Sequence, residues 1–271
     1  MMIELTSTPI ILMVILGVAG MIIPVINVLR RERGSSTFYG AIAFGALLLA
    51  LGFVIFQFYD DNLAPAAVFS EDVLADDGFG SFFAIAMLIV SIMTVAGSFN
   101  YMRKRSNPAI YFSLILLSSI GMVLIAFATD LVMLFVAWEL MSIPTYILAG
   151  FNKKNPSSNE AAIKYFLFGA LSSGIIIYGI SLAYGITGST NIGDVIYGFA
   201  NLSPDMLPLG LLAIGMFIAG FGFKMGLVPF HMWLPDTYEG SPPTITALLA
   251  AGTCLLYTSD AADERSSVDL G

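Results

Sequence analysis

Three ionisable side chains stand inside runs of residues that are otherwise apolar: Glu139, Lys164 and Lys224. Glu139 is the only charge between Leu131 and Phe151, and Lys224 is the only one between Leu207 and Phe230. A proline follows each at the same spacing, Pro144 after Glu139 and Pro229 after Lys224. His231, the only histidine of the chain, comes two residues after Pro229. A proline inside a helix removes one N–H and frees the carbonyl four residues back, here Met225. In lipid such a carbonyl must be satisfied by protein or water. An amine, an interrupted backbone and an imidazole within two turns of one another suggest a path for a small ion, above all the proton.

The cost of these charges sets what they must do. One unpaired charge at mid-membrane costs about 2.5–3.5 kcal/mol on the mildest scale, so Glu139 and Lys224 together would cost roughly 5–7 kcal/mol. That approaches the roughly 5–15 kcal/mol that holds a whole domain together. They are tolerable only if they face the bundle interior, and one acid with two amines suggests ion pairing. Opposite charges about 4 Å apart gain roughly 4 kcal/mol at an effective dielectric near 20. An energy of that size decides whether an amine keeps its proton near neutral pH. Moving one carboxylate relative to a buried lysine would therefore load or unload it. Other residues have plainer readings. Lys164 lies about a turn from the inner end of its apolar segment and can snorkel to the interface. His231 fits an interfacial histidine, and Asp236 and Glu239 read as loop solvation. Trp138 and Trp233 read as packing and interface residues, and Gly169, Ser173 and Gly174 as close-packing positions.

These residues belong to a strongly apolar chain. Of its 271 residues 58% are hydrophobic and 11% charged, where a soluble domain carries roughly 25% charge. Runs of about 20 apolar residues recur along its length, which marks an all-α, polytopic transmembrane helical bundle. One cysteine, Cys254, and one histidine exclude an intrachain disulfide, a Cys-ligated iron–sulfur cluster and bis-His haem ligation. No dinucleotide or P-loop fingerprint is present. The glycines of residues 220–226 sit in an apolar helix and serve close packing. The chain is therefore expected to carry no cofactor and no metal. The first apolar run has no basic residue before it and Arg30, Arg31 and Arg33 after it, the pattern of a retained spanning helix rather than a cleaved signal.

Eight apolar segments are expected, at 10–29, 40–59, 79–102, 109–128, 131–151, 161–186, 207–230 and an incomplete 243–257. The loops at 30–39, 103–108 and 152–160 hold eight of the eleven basic residues, whereas the alternate connections are acidic. Basic loops face the cytoplasm, so the N-terminus is expected outside a cell membrane. Topology accounts for these basic loops without nucleic acid. An irregular loop or hairpin is expected over 60–78. Ile192, Val195, Ile196 and Phe199 recur at helical spacing, which predicts a short interfacial helix within 187–206.

WELMSIPTYILAGF, EAAIKYFLFGALSSGIIIYGISLAYGITG and FKMGLVPFHMWLPDTYEGSPP closely resemble the antiporter-like proton-pumping subunits of respiratory complex I. Among these the subunit N pattern fits best. The resemblance is strongest from Asp130 to Thr253, and archaeal relatives fed by a deazaflavin share it. It implies an antiporter-like half-channel with a broken seventh helix, and a second, inverted half of similar build. It places Glu139 and Lys224 as the driving pair, Lys164 as a second translocating lysine, and His231 as the link to the cytoplasmic water path. It also implies partners: the other membrane-arm subunits of the complex and, through the whole complex, a quinone. The pattern is broken at Cys254, where the family has a lysine. Apolar character collapses in CLLYTSDAADERSSVDLG, which looks like adapter read-through on a truncated gene fragment.

The expected organisation is therefore 1–128 as four N-terminal transmembrane helices, 129–253 as the proton-translocation helices, and 254–271 as a non-native tail. The expected function is that of a proton-translocating subunit of a respiratory NADH (or related donor):quinone oxidoreductase, an enzyme whose redox chemistry lies on other chains. The alternatives are a subunit of a cation/proton antiporter complex or membrane-bound hydrogenase, and a solute carrier or passive scaffold. The paired prolines near Glu139 and Lys224 argue against a scaffold.

Overall fold

The computed structural model of the chain describes residues 7–30, 35–60, 73–103 and 105–253. Among them, seven helical spans are long and apolar enough to cross a membrane, the last running from Leu207 to Gly240 through a break. The chain is an all-helical, multi-pass membrane bundle. Its elements are α1 (Thr8–Leu29), α2 (Ser36–Asp60), α3 (Gly78–Met102), α4 (Pro108–Phe127), α5 (Leu131–Ala149), α6 (Pro156–Thr187), the short α7 (Ile192–Ala200) and α8 (Leu207–Met225). A 3-10 turn (Phe230–Trp233), α9 (Leu234–Gly240) and α10 (Pro243–Leu248) follow, and the helix continues with π geometry over Leu249–Thr253.

The central helix is α4, packed on α1, α2, α3 and α5. Of its apolar stretch 78% is buried, against 22% for the Leu207–Gly240 span, so the outer helices leave much of their surface uncovered by the rest of the described residues. Small hydroxyl residues let the central helices close up. The Ser113 hydroxyl donates to the Gly20 carbonyl at 2.5 Å, and the Ser119 hydroxyl donates to Ser91 Oγ at 2.8 Å. At one end, short extended segments tie α3, α5 and α7 together. Ala75 N–H donates to the Phe127 carbonyl, and Leu131 N–H to that of Thr190, both at 2.8 Å.

Two boundaries differ from the sequence expectation. Helix α6 starts at Pro156 rather than near 161, because the Asn155 side chain accepts from Ser157 N–H and a proline follows at the first helical position. Its 32 residues make about 48 Å at 1.5 Å each, longer than a hydrocarbon core of roughly 30 Å. That excess is enough for its polar first turn to lie outside the hydrocarbon or for the helix to tilt. The first helix of the seventh span, α8, stops at Met225, not at 230. Gly226 takes the left-handed conformation (φ 65°), Leu227 N–H closes on the Gly222 carbonyl at 2.9 Å, and Gly226 N–H on that of Phe223 at 3.2 Å. This is a glycine-terminated stop; Pro229 lies beyond the end of the helix rather than inside it.

The predicted short helix is present as α7, capped by Asn191, whose side chain accepts from Gly193 N–H at 2.9 Å. Of the expected irregular loop over 60–78, residues 61–72 lie outside the described residues, as does the 254–271 tail with Cys254.

Candidate functional site

Helices α5 and α8 both pack on α6, and the two expected intramembrane charges meet across it. The start of α5 is fixed by Asp130, whose carboxylate accepts from Val132 N–H at 2.8 Å and Met133 N–H at 3.0 Å. This sets the phase that turns Glu139 towards α6. Lys224 occupies the last turn of α8, where the carbonyl end of the helix dipole favours a cation. Lys224 Nζ donates to Glu139 Oε1 at 2.7 Å. The same oxygen accepts from the Ser173 hydroxyl of α6 at 2.6 Å. The lysine side chain is 5% exposed and that of Glu139 23%, so one end of the pair is sealed and the other partly open.

A second acceptor for the Lys224 ammonium is the hydroxyl of Tyr146, two turns after Glu139 on α5. Lys224 Nζ lies 3.4 Å from its hydroxyl oxygen. That approach requires a glycine at position 169, since a Cβ there would collide with the Tyr146 hydroxyl. Tyr146 meets Tyr165 edge-on at 4.6 Å, and Tyr165 stacks flat on Trp233 at 4.8 Å. Trp233 Nε1–H donates to the Phe223 carbonyl at 2.9 Å. The segment after the break is thus folded back onto α6 and α8. A cavity of about 10 Å³ lies against Lys224, lined also by Ser142, Tyr146, Tyr165 and Trp233. That is the lower limit for a single water. The arrangement can therefore hold a proton on the lysine, offer it a carboxylate, and pass it to one water.

The other predicted site residues lie apart from this pair. Lys164 does not share Glu139; its ammonium pairs with Asp236 of α9 at 2.5 Å and with Glu160, one turn earlier on α6, at 2.6 Å. Asp236, expected to serve loop solvation, is thus the carboxylate that meets Lys164. The correction follows from the fold-back, which packs α9 against α6. His231 is exposed within the 3-10 turn. Sequence reasoning also missed Tyr146 and misassigned Ser173. The seven-residue spacing from Glu139 to Tyr146 was a usable signal, because it places both on one helical face; for Ser173 no local signal existed. Among the described residues no cluster of three or more His, Cys, Asp or Glu could hold a metal ion.

This geometry sits inside a stretch with known counterparts. Residues 128–258 match the family model described as NADH:quinone oxidoreductase/Mrp antiporter, transmembrane. They belong to that family. Glu139, Lys164, Lys224 and His231 all fall within the matched residues. Over 255 residues, 92% of this chain and 48% of the relative, the sequence is 40% identical to NADH-quinone oxidoreductase subunit N of Desulfitobacterium hafniense. Over 186 residues, 69% of this chain and 37% of the relative, it is 43% identical to F(420)H(2) dehydrogenase subunit N of Methanosarcina mazei. The fold matches a chain of respiratory complex I from Thermus thermophilus with a TM-score of 0.72 and 30% identity, covering 90% of this chain and 52% of that one. An archaeal membrane-bound sulfane sulfur reductase has the same fold, with a TM-score of 0.75 at 23% identity. The chain spans about half the length, or less, of the curated relatives it matches.

Proposed function

We propose that this chain serves as a proton-translocating membrane subunit of a donor:quinone oxidoreductase complex, with Glu139 and Lys224 as its driving pair. The observation that carries the reading is the buried Lys224 ammonium held 2.7 Å from a carboxylate that is partly open. Nothing in packing alone calls for such a pair, since apolar residues of equal volume serve stability as well or better. Lys164, held by Asp236 and Glu160, is the second proton-holding group, and His231 lies where the broken span meets the cytoplasmic side. Electron transfer takes place on other subunits, and its energy reaches this chain as a charge shift or a movement of helices. The relatives differ in donor, NADH in one and F(420)H(2) in another, so the donor is a property of the other subunits. The similarity to subunit N supports this reading over a cation/proton antiporter. The basic loops support an orientation in the cell membrane with the N-terminus outside and residues 152–160 in the cytoplasm.

The test is proton pumping by the assembled complex in vesicles. Glu139→Gln and Lys224→Ala each lower the number of protons moved per electron while assembly and quinone reduction remain measurable. Pumping at the unaltered ratio in both variants would reject the half-channel role.

A further inference from the structure

A groove of about 990 Å³ opens at the basic end of the bundle, between the loop before α4, the C-terminal end of α5 and the first turns of α6. Its rim carries three exposed cations from two different loops, Arg105, Lys153 and Lys154, and its lining contains no carboxylate. No ion pair involves these three cations among the described residues, and the Arg105 guanidinium is held in place over the Tyr101 ring at 4.1 Å. Further in, the walls are apolar. Ile110 of α4, Ile147 of α5 and Ile163 of α6 line the groove and are 45%, 52% and 60% exposed. All three belong to helices long and apolar enough to cross a membrane, and an open apolar surface on such a helix suits an acyl chain.

We propose that this groove is a binding site for an anionic phospholipid, with the headgroup phosphate at Arg105, Lys153 and Lys154 and an acyl chain against Ile110, Ile147 and Ile163. The charge argument is complementarity: three cations with no acid beside them call for an anion, and basic pockets between transmembrane helices are suited to acidic headgroups. The apolar argument selects among anions. Inorganic phosphate would satisfy the rim and leave the isoleucines unused, whereas a lipid satisfies both. Neither Glu139 nor Lys224 lines the groove, and of the residues around the cavity at Lys224 only Tyr146 does, so the proposal does not depend on proton translocation.

The experiment is native mass spectrometry of the full chain, released from micelles containing equal amounts of phosphatidylglycerol and phosphatidylcholine. Phosphatidylglycerol is retained preferentially, and combined Arg105→Gln, Lys153→Gln and Lys154→Gln substitution weakens its retention by about fivefold per cation removed. Ile163→Trp, which keeps every cation and fills the apolar wall, also lowers retention. Arg30→Gln removes a cation of another basic loop, outside the groove, and leaves retention unchanged. If the triple variant loses its helical signal, Lys154→Gln alone is judged by the same fivefold criterion. Equal retention of the two lipids would overturn the proposal. So would an unchanged triple variant, an Arg30→Gln loss as large as the triple one, or displacement of the lipid by an equal concentration of inorganic phosphate. Exclusion of phosphatidylglycerol by a polypeptide bound in the groove would also overturn it.

Discussion

The Glu139–Lys224 contact predicts a specific energetic signature. At 2.7 Å and an effective dielectric near 20, the Coulomb attraction is about 6 kcal/mol. Desolvation of the lysine offsets much of it, so the pair as a whole contributes little net stability. Removing one partner is another matter. In Glu139→Gln the lysine stays buried, with Tyr146 at 3.4 Å and a neutral amide in place of its countercharge, and it must either remain charged there or give up its proton. Orphaning a buried charge in this way costs about 3–5 kcal/mol. Glu139 is 23% exposed and keeps the Ser173 hydroxyl as a donor, so Lys224→Met, which leaves the less buried partner, costs less. In the double variant no charge is left to orphan. The two substitutions are therefore strongly non-additive, with a coupling of about 3 kcal/mol. The assay is reversible unfolding of the chain in mixed micelles, followed by helical circular dichroism for the parent, both single variants and the double variant. Additivity to within about 0.5 kcal/mol would refute the pairing and the reasoning built on it.

Three further outcomes follow from the same structure. Gly226→Ala puts a side chain into a left-handed position (φ 65°) and against Leu234. It destabilises the chain by about 1–2 kcal/mol from backbone strain alone, measured by the same unfolding assay. Ser173→Ala removes the hydroxyl that donates to Glu139 at 2.6 Å and costs about 1.5–3 kcal/mol, as hydrogen bonds to charged groups do; a cost below about 0.5 kcal/mol would show that this serine only packs. A single cysteine at the exposed Lys154 position is labelled by a membrane-impermeant reagent in inverted vesicles and protected in intact cells. The reverse pattern would overturn the proposed orientation.

Much of this site was legible because a charge in an apolar run has few affordable partners. Glu139 and Lys224 each stand alone in about 20 uncharged residues, so the expectation that they meet needed no tertiary information. The spans were legible for a related reason, since an apolar stretch long enough to cross a bilayer has only one common conformation there. What failed was long-range or a matter of backbone detail. Lys164 was read as able to snorkel to the interface, but its ammonium meets Asp236, 72 residues away on a helix brought near only by the fold-back after Gly226. Pro229 drew attention as the interrupter of the span, whereas the left-handed Gly226 ends the helix three residues earlier. Ser173 looked like one more small residue on α6, and its role became visible only once α5 had placed a carboxylate against it.

Proton translocation through this pair requires Lys224 to give up its proton, not merely to carry a charge. Lys224→Arg separates these two ideas, because a guanidinium keeps the positive charge and the contact with Glu139 but does not deprotonate in proteins. The decisive quantity is the number of protons moved per electron by the assembled complex carrying Lys224→Arg. A large loss of pumping with assembly intact is the predicted result. Pumping at the unaltered ratio would show that Lys224 is a fixed countercharge and would contradict the proposed mechanism.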